Sequence, residues 1–148
     1  MRVIAQRVKS ASVEVAGAVI GEIETGLVLL VGIHESDDDE MADRLAAKTA
    51  VMRVFEDAGG KMNLSASDVG GAMLVVSQFT LYADLRKGRR PSFVEAADPD
   101  KGRRLVERFA TRLEQCGYRV ERGRFGAHML VRLENDGPVT IVLDSREM

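Results

Sequence analysis

The chain has 148 residues, 45% of them hydrophobic and 30% charged, which suits one globular domain and is too short for two. The net charge of −2 does not by itself suggest an anionic partner. One cysteine and two histidines exclude an intrachain disulfide and a four-ligand structural zinc site. The longest apolar stretch is too short for a membrane span, and the charged N-terminus does not resemble a signal peptide.

Strands and one helix are predicted for the first third of the chain. Alternating apolar residues indicate short strands at residues 2–8 and 11–15, and the continuous apolar run at 27–33 indicates a buried strand. Apolar residues spaced three or four apart then predict a helix over about 38–51. Ser36 is its expected N-cap, and the acidic residues that follow favour the positive end of a helix.

The rest of the chain alternates between strand and helix. A buried strand is predicted at 72–79, followed by a loop at 80–92. Asp98 and Pro99 are typical of a helix start, and Gly117 of a helix end. The last two predicted elements are strands, at residues 127–135 and 139–143.

This order predicts the α/β class, with one domain over residues 1–148. The first strands are too closely connected for helical crossovers, so a purely parallel sheet is excluded. We expect a single mixed domain of layered, barrel-like β-sheets with two main helices.

Charge is distributed unevenly along the chain. Residues 1–85 carry a net charge of −6, residues 86–124 carry +6, and residues 125–148 carry −2. A cluster of four cations lies in the basic segment: Arg86, Lys87, Arg89 and Arg90. Such a cluster could bind a phosphate backbone without reading sequence, or it could be an ordinary solvated surface.

The residues most often used as nucleophile or base lie in unremarkable contexts. His34 follows a buried strand, and His128 lies in a terminal strand, each without a serine or cysteine beside it. Cys116 falls in the last turn of a predicted helix, where a small, partly buried residue is expected. We therefore interpret all three as structural residues and expect no metal site.

Two polar segments are unusual. Ser77-Gln78-Phe79-Thr80-Leu81 lies at the exit of a buried strand, a usual position for site residues, although its hydroxyls could simply satisfy the end of a sheet. Asn135-Asp136-Gly137-Pro138-Val139-Thr140 contains the hairpin signal Asp-Gly, yet the proline that follows lacks the N–H of a ladder position. A Gly-Pro bond also has an appreciable cis population.

Together these segments resemble the motif pair of D-aminoacyl-tRNA deacylases. The resemblance runs along the whole chain through four further matches: Gln6-Arg7-Val8, Gly60-Lys61-Met62-Asn63-Leu64, Arg90-Pro91-Ser92-Phe93 and Gly123-Arg124-Phe125. It implies an enzyme that hydrolyses the ester between a D-amino acid and tRNA. It also implies a homodimer with sites at the subunit interface and no cofactor, no membrane partner and no DNA partner. The single cysteine, which cannot close an intrachain disulfide, favours the reducing cytoplasm.

The resemblance also implies roles for individual residues. Ser77, Gln78, Phe79 and Thr80 would form the catalytic pocket for the aminoacyl group and terminal adenosine. Gly137 and Pro138 would be the cis Gly-Pro element that a partner subunit inserts to screen chirality. Supporting positions would be Arg7, Asn135 and Thr140. We also expect the basic cluster of Arg86, Lys87, Arg89 and Arg90 to bind the tRNA backbone, because these cations lie together beside the presumed site.

The sequence leaves the mechanism open between two routes. Thr80 is a candidate nucleophile, but its hydroxyl needs a base, and no His, Lys or Glu lies within three residues. Alternatively, the backbone N–H groups of Phe79 and Thr80 stabilise the oxyanion while the RNA and water supply the rest, which we favour. If the site rejects L-aminoacyl groups because their side chains clash with it, glycyl-tRNA would still enter, since glycine has no side chain. A non-catalytic dimeric tRNA-binding module is the alternative function.

Overall fold

A computed structural model describes residues 1–147, which form eight strands and two helices. The strands are β1 (Arg2–Val15), β2 (Ala18–Ile23), β3 (Gly26–Gly32), β4 (Arg53–Glu56), β5 (Met62–Ser65), β6 (Ala72–Ser77), β7 (Val120–Arg122) and β8 (Leu130–Asp144). The helices are α1 (Asp39–Ala50) and α2 (Pro99–Gln115), with short 3₁₀ turns at Phe79–Tyr82 and Ser145–Glu147. Within residues 1–147, neither helix is long and apolar enough to cross a membrane.

Six strands form one sheet around β1. This strand pairs antiparallel with β8 along one edge, and with β3 and then β2 along the other. Strands β6 and β7 continue the sheet beyond β3 in parallel, while β4 and β5 form a separate hairpin. The sheet is nearly closed and barrel-like, and the prediction of a mixed α/β domain with two helices is confirmed.

The core divides between the two faces of the sheet. On β3, Leu27 and Leu29 contribute to the larger apolar cluster beneath the helices, while Val28 contributes to a smaller cluster on the opposite face. On β6, Met73 contributes to the larger cluster and Leu74 to the smaller one. Both strands are thus buried on both sides, which explains their continuous apolar sequences and fixes the position of the segment that follows β6.

The helices pack against each other through charged as well as apolar side chains. Asp38, rather than Ser36, is the N-cap of α1, and its carboxylate accepts a hydrogen bond from the Met41 N–H at 2.9 Å. Arg108 on α2 donates to Asp43 on α1 at 2.6 Å, and this hydrogen bond lowers the pKa of Asp43. Arg104 similarly pairs with Asp39. These two arginines of the basic segment are therefore engaged within the domain.

Two long strands replace four predicted short ones. The predicted strands at residues 2–8 and 11–15 are two halves of one strand, β1. The first half pairs with β3 and the second with β2, while β8 runs along the opposite edge of both halves and keeps them continuous. Residues 127–135 and 139–143 were predicted as separate strands, but β8 continues from Leu130 to Asp144. The Asp-Gly-Pro sequence does not end β8, because β1 pairs with it on both sides of that interruption.

Candidate active site

The first candidate segment is fixed where β6 ends. Ser77 is the last residue of β6, and the Gln78 N–H donates to the Val31 carbonyl of β3 at 2.8 Å. The chain then enters the 3₁₀ turn that opens the predicted loop 80–92. This turn lies directly against β3, since a Cβ atom at Gly32 would come within 3.0 Å of the Gln78 carbonyl oxygen. Glycine at this position permits the close approach.

The turn exposes both a hydroxyl and backbone donors. The Thr80 hydroxyl oxygen accepts a hydrogen bond from the Gln78 side-chain amide, and the Phe79 side chain is 55% exposed. Within residues 1–147, no His, Lys, Asp or Glu side chain is hydrogen-bonded to the Thr80 hydroxyl. The N–H groups of Phe79 and Thr80 open the turn and so lack an acceptor within it.

The second candidate segment is a bulge in the middle of β8. Gln6 pairs with Thr140 and Val8 pairs with Asn135, so residues 136–139 lie opposite Arg7 alone. The peptide bond between Gly137 and Pro138 is cis, and both residues are exposed. Asn135 and Thr140 are likewise exposed and flank the bulge.

Glycine is required at the tip of this bulge. Gly137 has a φ angle of +128°, which L side chains rarely adopt, and an added Cβ would lie 2.9 Å from the Val139 nitrogen. The same Cβ would also approach the Arg7 guanidinium to 3.3 Å. The backbone of the bulge is therefore packed closely against Arg7.

Arg7 connects the bulge to the β4–β5 hairpin. It is only 5% exposed, and its guanidinium donates to the Asp136 carbonyl at 3.0 Å and to the Val54 carbonyl at 2.6 Å. The carboxylates of Glu56 and Asp136 each lie 3.7 Å from it, and the Phe55 ring centroid is 5.9 Å away. Arg7 thus lies beside the Gly137-Pro138 element and holds the backbone that precedes it.

The two candidate segments lie at opposite ends of β3 within one chain. Arg7, which faces the bulge, pairs with Leu27 at the start of β3, whereas Gln78 bonds to Val31 near its end. Four residues of strand separate these positions by about 13 Å. The bulge also lies on the far side of β1 from β6. One chain therefore does not bring Gly137-Pro138 together with Thr80.

Sequence reasoning assigned no role to three residues that line a small cavity beside Ser77. Arg103, Gly123 and Phe125 enclose, with Ser77, a space of about 60 Å³, and Arg103 lies over the Phe125 ring at 5.3 Å. The Gly123-Arg124-Phe125 match was the available signal, but it carried no contact information. Pockets for small-molecule ligands usually measure about 300–1,000 Å³. This cavity is too small for an aminoacyl nucleoside.

The predicted basic cluster occupies an exposed loop at residues 84–92, named here the basic loop. Asp84 and Ser92 close the loop through two backbone hydrogen bonds of 2.8 and 2.9 Å. Arg86 is paired with Asp84 at 2.8 Å, and its hydrogen bonds lower the pKa of Asp84 to about 2. Three further cations are exposed and form no ion pair within residues 1–147: Lys87, Arg89 and Arg90.

The remaining candidates lie away from these segments. The imidazole of His34 is hydrogen-bonded to Ser36 at 2.8 Å and packs edge-on against Tyr82. His128 is exposed. Cys116 is also exposed, at the C-cap of α2, so the prediction that it is partly buried was wrong. The physical reason is its position, because a C-cap residue follows the last turn of the helix and is not part of the face that packs on the core.

Comparison with known proteins gives consistent matches over nearly the whole chain. The family model described as D-Tyr-tRNA(Tyr) deacylase matches residues 4–144. A D-aminoacyl-tRNA deacylase of Thermomicrobium roseum is 60% identical over 148 residues, which is 100% of this chain and 96% of the relative. That of Halalkalibacterium halodurans is 56% identical over 146 residues, covering 99% of this chain and 100% of the relative.

Solved structures match the fold as well. A structure described as c-Myc DNA Unwinding Element Binding Protein superposes with a TM-score of 0.90 at 38% identity, covering 97% of this chain and 98% of that one. A second, described as a "probable eukaryotic D-amino acid tRNA deacylase", has a TM-score of 0.83 at 18% identity and covers 96% and 97%. At that identity the second likeness concerns the fold alone.

The fold and the sequence matches together define a hydrolase that acts on aminoacyl-tRNA esters. More particularly, the chain belongs to the D-Tyr-tRNA(Tyr) deacylase family, since the family model covers all but a few residues at each end. The resemblance drawn from the two motifs is thereby confirmed.

Proposed function

We propose that this chain hydrolyses the ester of D-aminoacyl-tRNA, and of glycyl-tRNA to a lesser extent, releasing the free amino acid and tRNA. The observation that carries the proposal is the turn after β6, where Phe79 and Thr80 are exposed and their backbone N–H groups have no acceptor within the turn, in a chain whose residues 4–144 match the family. Backbone donors of this kind can stabilise the oxyanion that forms when water attacks an ester carbonyl.

The complete site is proposed to form between two copies of the chain. Thr80 and Gly137 lie at opposite ends of β3 in one copy, and the cavity beside Ser77 is too small for the substrate. A second copy that presents its own residues 136–139 to the turn would complete the pocket. This arrangement gives a homodimer with two equivalent sites, in keeping with the closed symmetry of most oligomers.

Chirality is proposed to be screened by exclusion. D side chains share no common shape, and a hydrophobic pocket discriminates by only about 1–3 kcal/mol per methylene. An exposed backbone element held by Arg7 can instead occupy the space into which every L side chain would project. Glycine has no side chain to clash, so its ester would enter the same site.

The chemistry is proposed to need no side-chain nucleophile. Within residues 1–147 no acidic or basic side chain is bonded to the Thr80 hydroxyl, whose oxygen accepts from Gln78. An aminoacyl ester has a ribose hydroxyl beside its scissile carbonyl, which can assist the attack of water. In this mechanism the N–H groups of Phe79 and Thr80 bind the oxyanion, and the threonine hydroxyl positions the substrate.

A single deacylation assay tests the activity and its selectivity. D-tyrosyl-tRNA should be cleaved rapidly, glycyl-tRNA measurably, and L-tyrosyl-tRNA no faster than in buffer. Complete resistance of glycyl-tRNA would indicate a pocket that grips D side chains instead of excluding L ones. If the chain bound tRNA but released no amino acid from any substrate, the non-catalytic tRNA-binding module would be the correct function.

The basic loop is proposed to contact the tRNA backbone. Arg86 is committed to Asp84, so we assign most of the binding to Lys87, Arg89 and Arg90. Replacing Lys87 and Arg89 with Gln should weaken binding equally for all tRNAs and flatten the salt dependence by about one unit per lost phosphate contact. An unchanged salt slope would remove the loop from the interface. The matched control is Arg132→Gln, an exposed arginine paired with Glu14 on the sheet.

A further inference from the structure

An aromatic pair lies on the surface beside the turn that follows β6. The rings of Phe79 and Phe93 meet edge to face, with centroids 4.8 Å apart and planes at 68°. Phe79 remains 55% exposed in this arrangement, and Val94, next to Phe93, is 81% exposed. Phe93 belongs to Arg90-Pro91-Ser92-Phe93, a segment that resembles the family's sequence but has no role in the proposed oxyanion mechanism.

The aromatic pair and the basic loop form one continuous surface. The backbone hydrogen bonds between Asp84 and Ser92 close the loop at its base, directly before Phe93 returns to contact Phe79. The exposed cations Lys87 and Arg89 therefore belong to a loop whose base adjoins the aromatic pair. The neighbouring Asp84 is neutralised by Arg86, so the loop keeps a net positive charge.

The exposed ring is that of Phe79, and the half-buried Phe93 packs against it. An exposed aromatic ring near cations that form no ion pair suits single-stranded nucleic acid. Bases stack on the rings while cations follow the phosphates, and every base offers a face for stacking. The 3′ end of tRNA, which carries the aminoacyl group, is single-stranded. We propose that the Phe79–Phe93 pair stacks an unpaired base that precedes the terminal adenosine, while the basic loop contacts the adjoining phosphates.

This inference deepens the proposed function and rests on it. The backbone N–H groups of Phe79 and Thr80 are assigned to the reacting ester, so the terminal nucleoside must lie next to them. The side chain of Phe79 is exposed and is not needed for the hydrogen bonds of its backbone. The RNA nucleotides that precede the terminal adenosine have to leave the site along the protein surface. The aromatic pair would orient the tRNA end without contacting the reacting atoms.

Two substrates separate stacking from chemistry. The D-tyrosyl ester of adenosine has no preceding base, whereas D-tyrosyl-tRNA has one. Replacing an aromatic residue that stacks on a base costs about 5- to 140-fold in binding, equivalent to about 1–3 kcal/mol. Phe93→Leu should therefore reduce kcat/KM for D-tyrosyl-tRNA by up to that factor, mainly through KM, and change hydrolysis of the adenosine ester less than about twofold.

Controls make the outcome unambiguous. Val94→Ala removes a more exposed apolar side chain that cannot stack, and it should leave both substrates unaffected. Phe93→Tyr keeps the ring and should retain tRNA hydrolysis, while hydrolysis of the adenosine ester by Phe93→Leu shows that this variant is folded. A deacylated RNA hairpin with 2-aminopurine in place of the penultimate base should lose fluorescence on binding, and less so with Phe93→Leu.

Three results would overturn the assignment. Equal losses on both substrates would put the rings in the reaction pocket, and no loss on tRNA would remove them from binding. A change in molecular mass by light scattering in Phe93→Leu would instead indicate that the pair is covered by a second copy of the chain. Failure of the wild-type protein to hydrolyse either substrate would refute the proposed function itself.

Discussion

Arg7→Lys is expected to loosen the bulge of β8 while retaining the positive charge. The guanidinium of Arg7 donates to two carbonyl groups on different elements, Val54 on β4 and Asp136 on β8. A lysine ammonium is a single point at the end of a flexible stem and cannot serve both carbonyls at once. One of them would be left without its donor in a position where Arg7 is 5% exposed.

The expected loss follows from that missing bond. A hydrogen bond from a charged donor contributes about 1.5–3 kcal/mol, and an unsatisfied buried acceptor costs a similar amount. Glu56 and Asp136 retain a cationic partner and are partly exposed, so their contribution changes little. We therefore expect the free energy of unfolding to fall by about 1.5–3 kcal/mol, with a further loss for Arg7→Met.

Urea denaturation at a single protein concentration measures this loss. The matched control is Arg132→Lys, another arginine of the same sheet, whose side chain is 56% exposed and pairs with Glu14. Surface pairs contribute about 0–1 kcal/mol, so this control should change little. If Arg7→Lys cost no more than Arg132→Lys, the two carbonyl bonds would not hold the bulge and the reasoning would be refuted.

Three further predictions follow from other parts of the structure. Thr80→Ala should retain deacylation within the factor of about 10²–10³ associated with one lost donor, and a variant that binds substrate but shows no turnover would restore a covalent route. Ala16 adopts a φ angle of +49° in the tight turn before Gly17, a conformation that asparagine tolerates better than alanine. Ala16→Asn should therefore raise the unfolding free energy by up to about 1 kcal/mol in urea titrations, and a lower value would contradict the expectation. The hydrogen bond from Arg146 lowers the pKa of Asp144 below its unfolded value, so the stabilisation that Asp144 contributes should be fully present from pH 7 to 5 and be lost progressively as the pH falls below about 4. Asp144→Asn should be less stable at pH 7 and lose less on acidification, and identical acid profiles would contradict this.

Local signals predicted the helices and the fold class well. Asp98 and Pro99 define the start of α2 because capping depends on residues within one turn, and Asp98 accepts from two N–H groups there. The same locality explains the misplaced cap of α1, since Ser36 and Asp38 are both good caps and only the path of the chain decides between them.

Features that depend on distant partners could not be predicted in this way. The continuity of β8 through Gly137-Pro138 depends on β1, which is more than a hundred residues away in sequence. The pairing of Arg104 with Asp39 and of Arg108 with Asp43 likewise depends on how α1 packs against α2. The positions of both candidate segments followed from their motifs, but their separation along β3 depends on strand register.

The position of Thr80 and Gly137 at opposite ends of β3 has a genetic consequence under the proposed dimer. Each site would then draw the turn from one copy and the bulge from the other. Two alleles, one defective in the turn and one in the bulge, would complement each other, because a mixed dimer contains one site built from two intact halves. Two alleles defective in the same segment would never complement. A complementation test between such alleles would thus show whether each site is built from two copies of the chain.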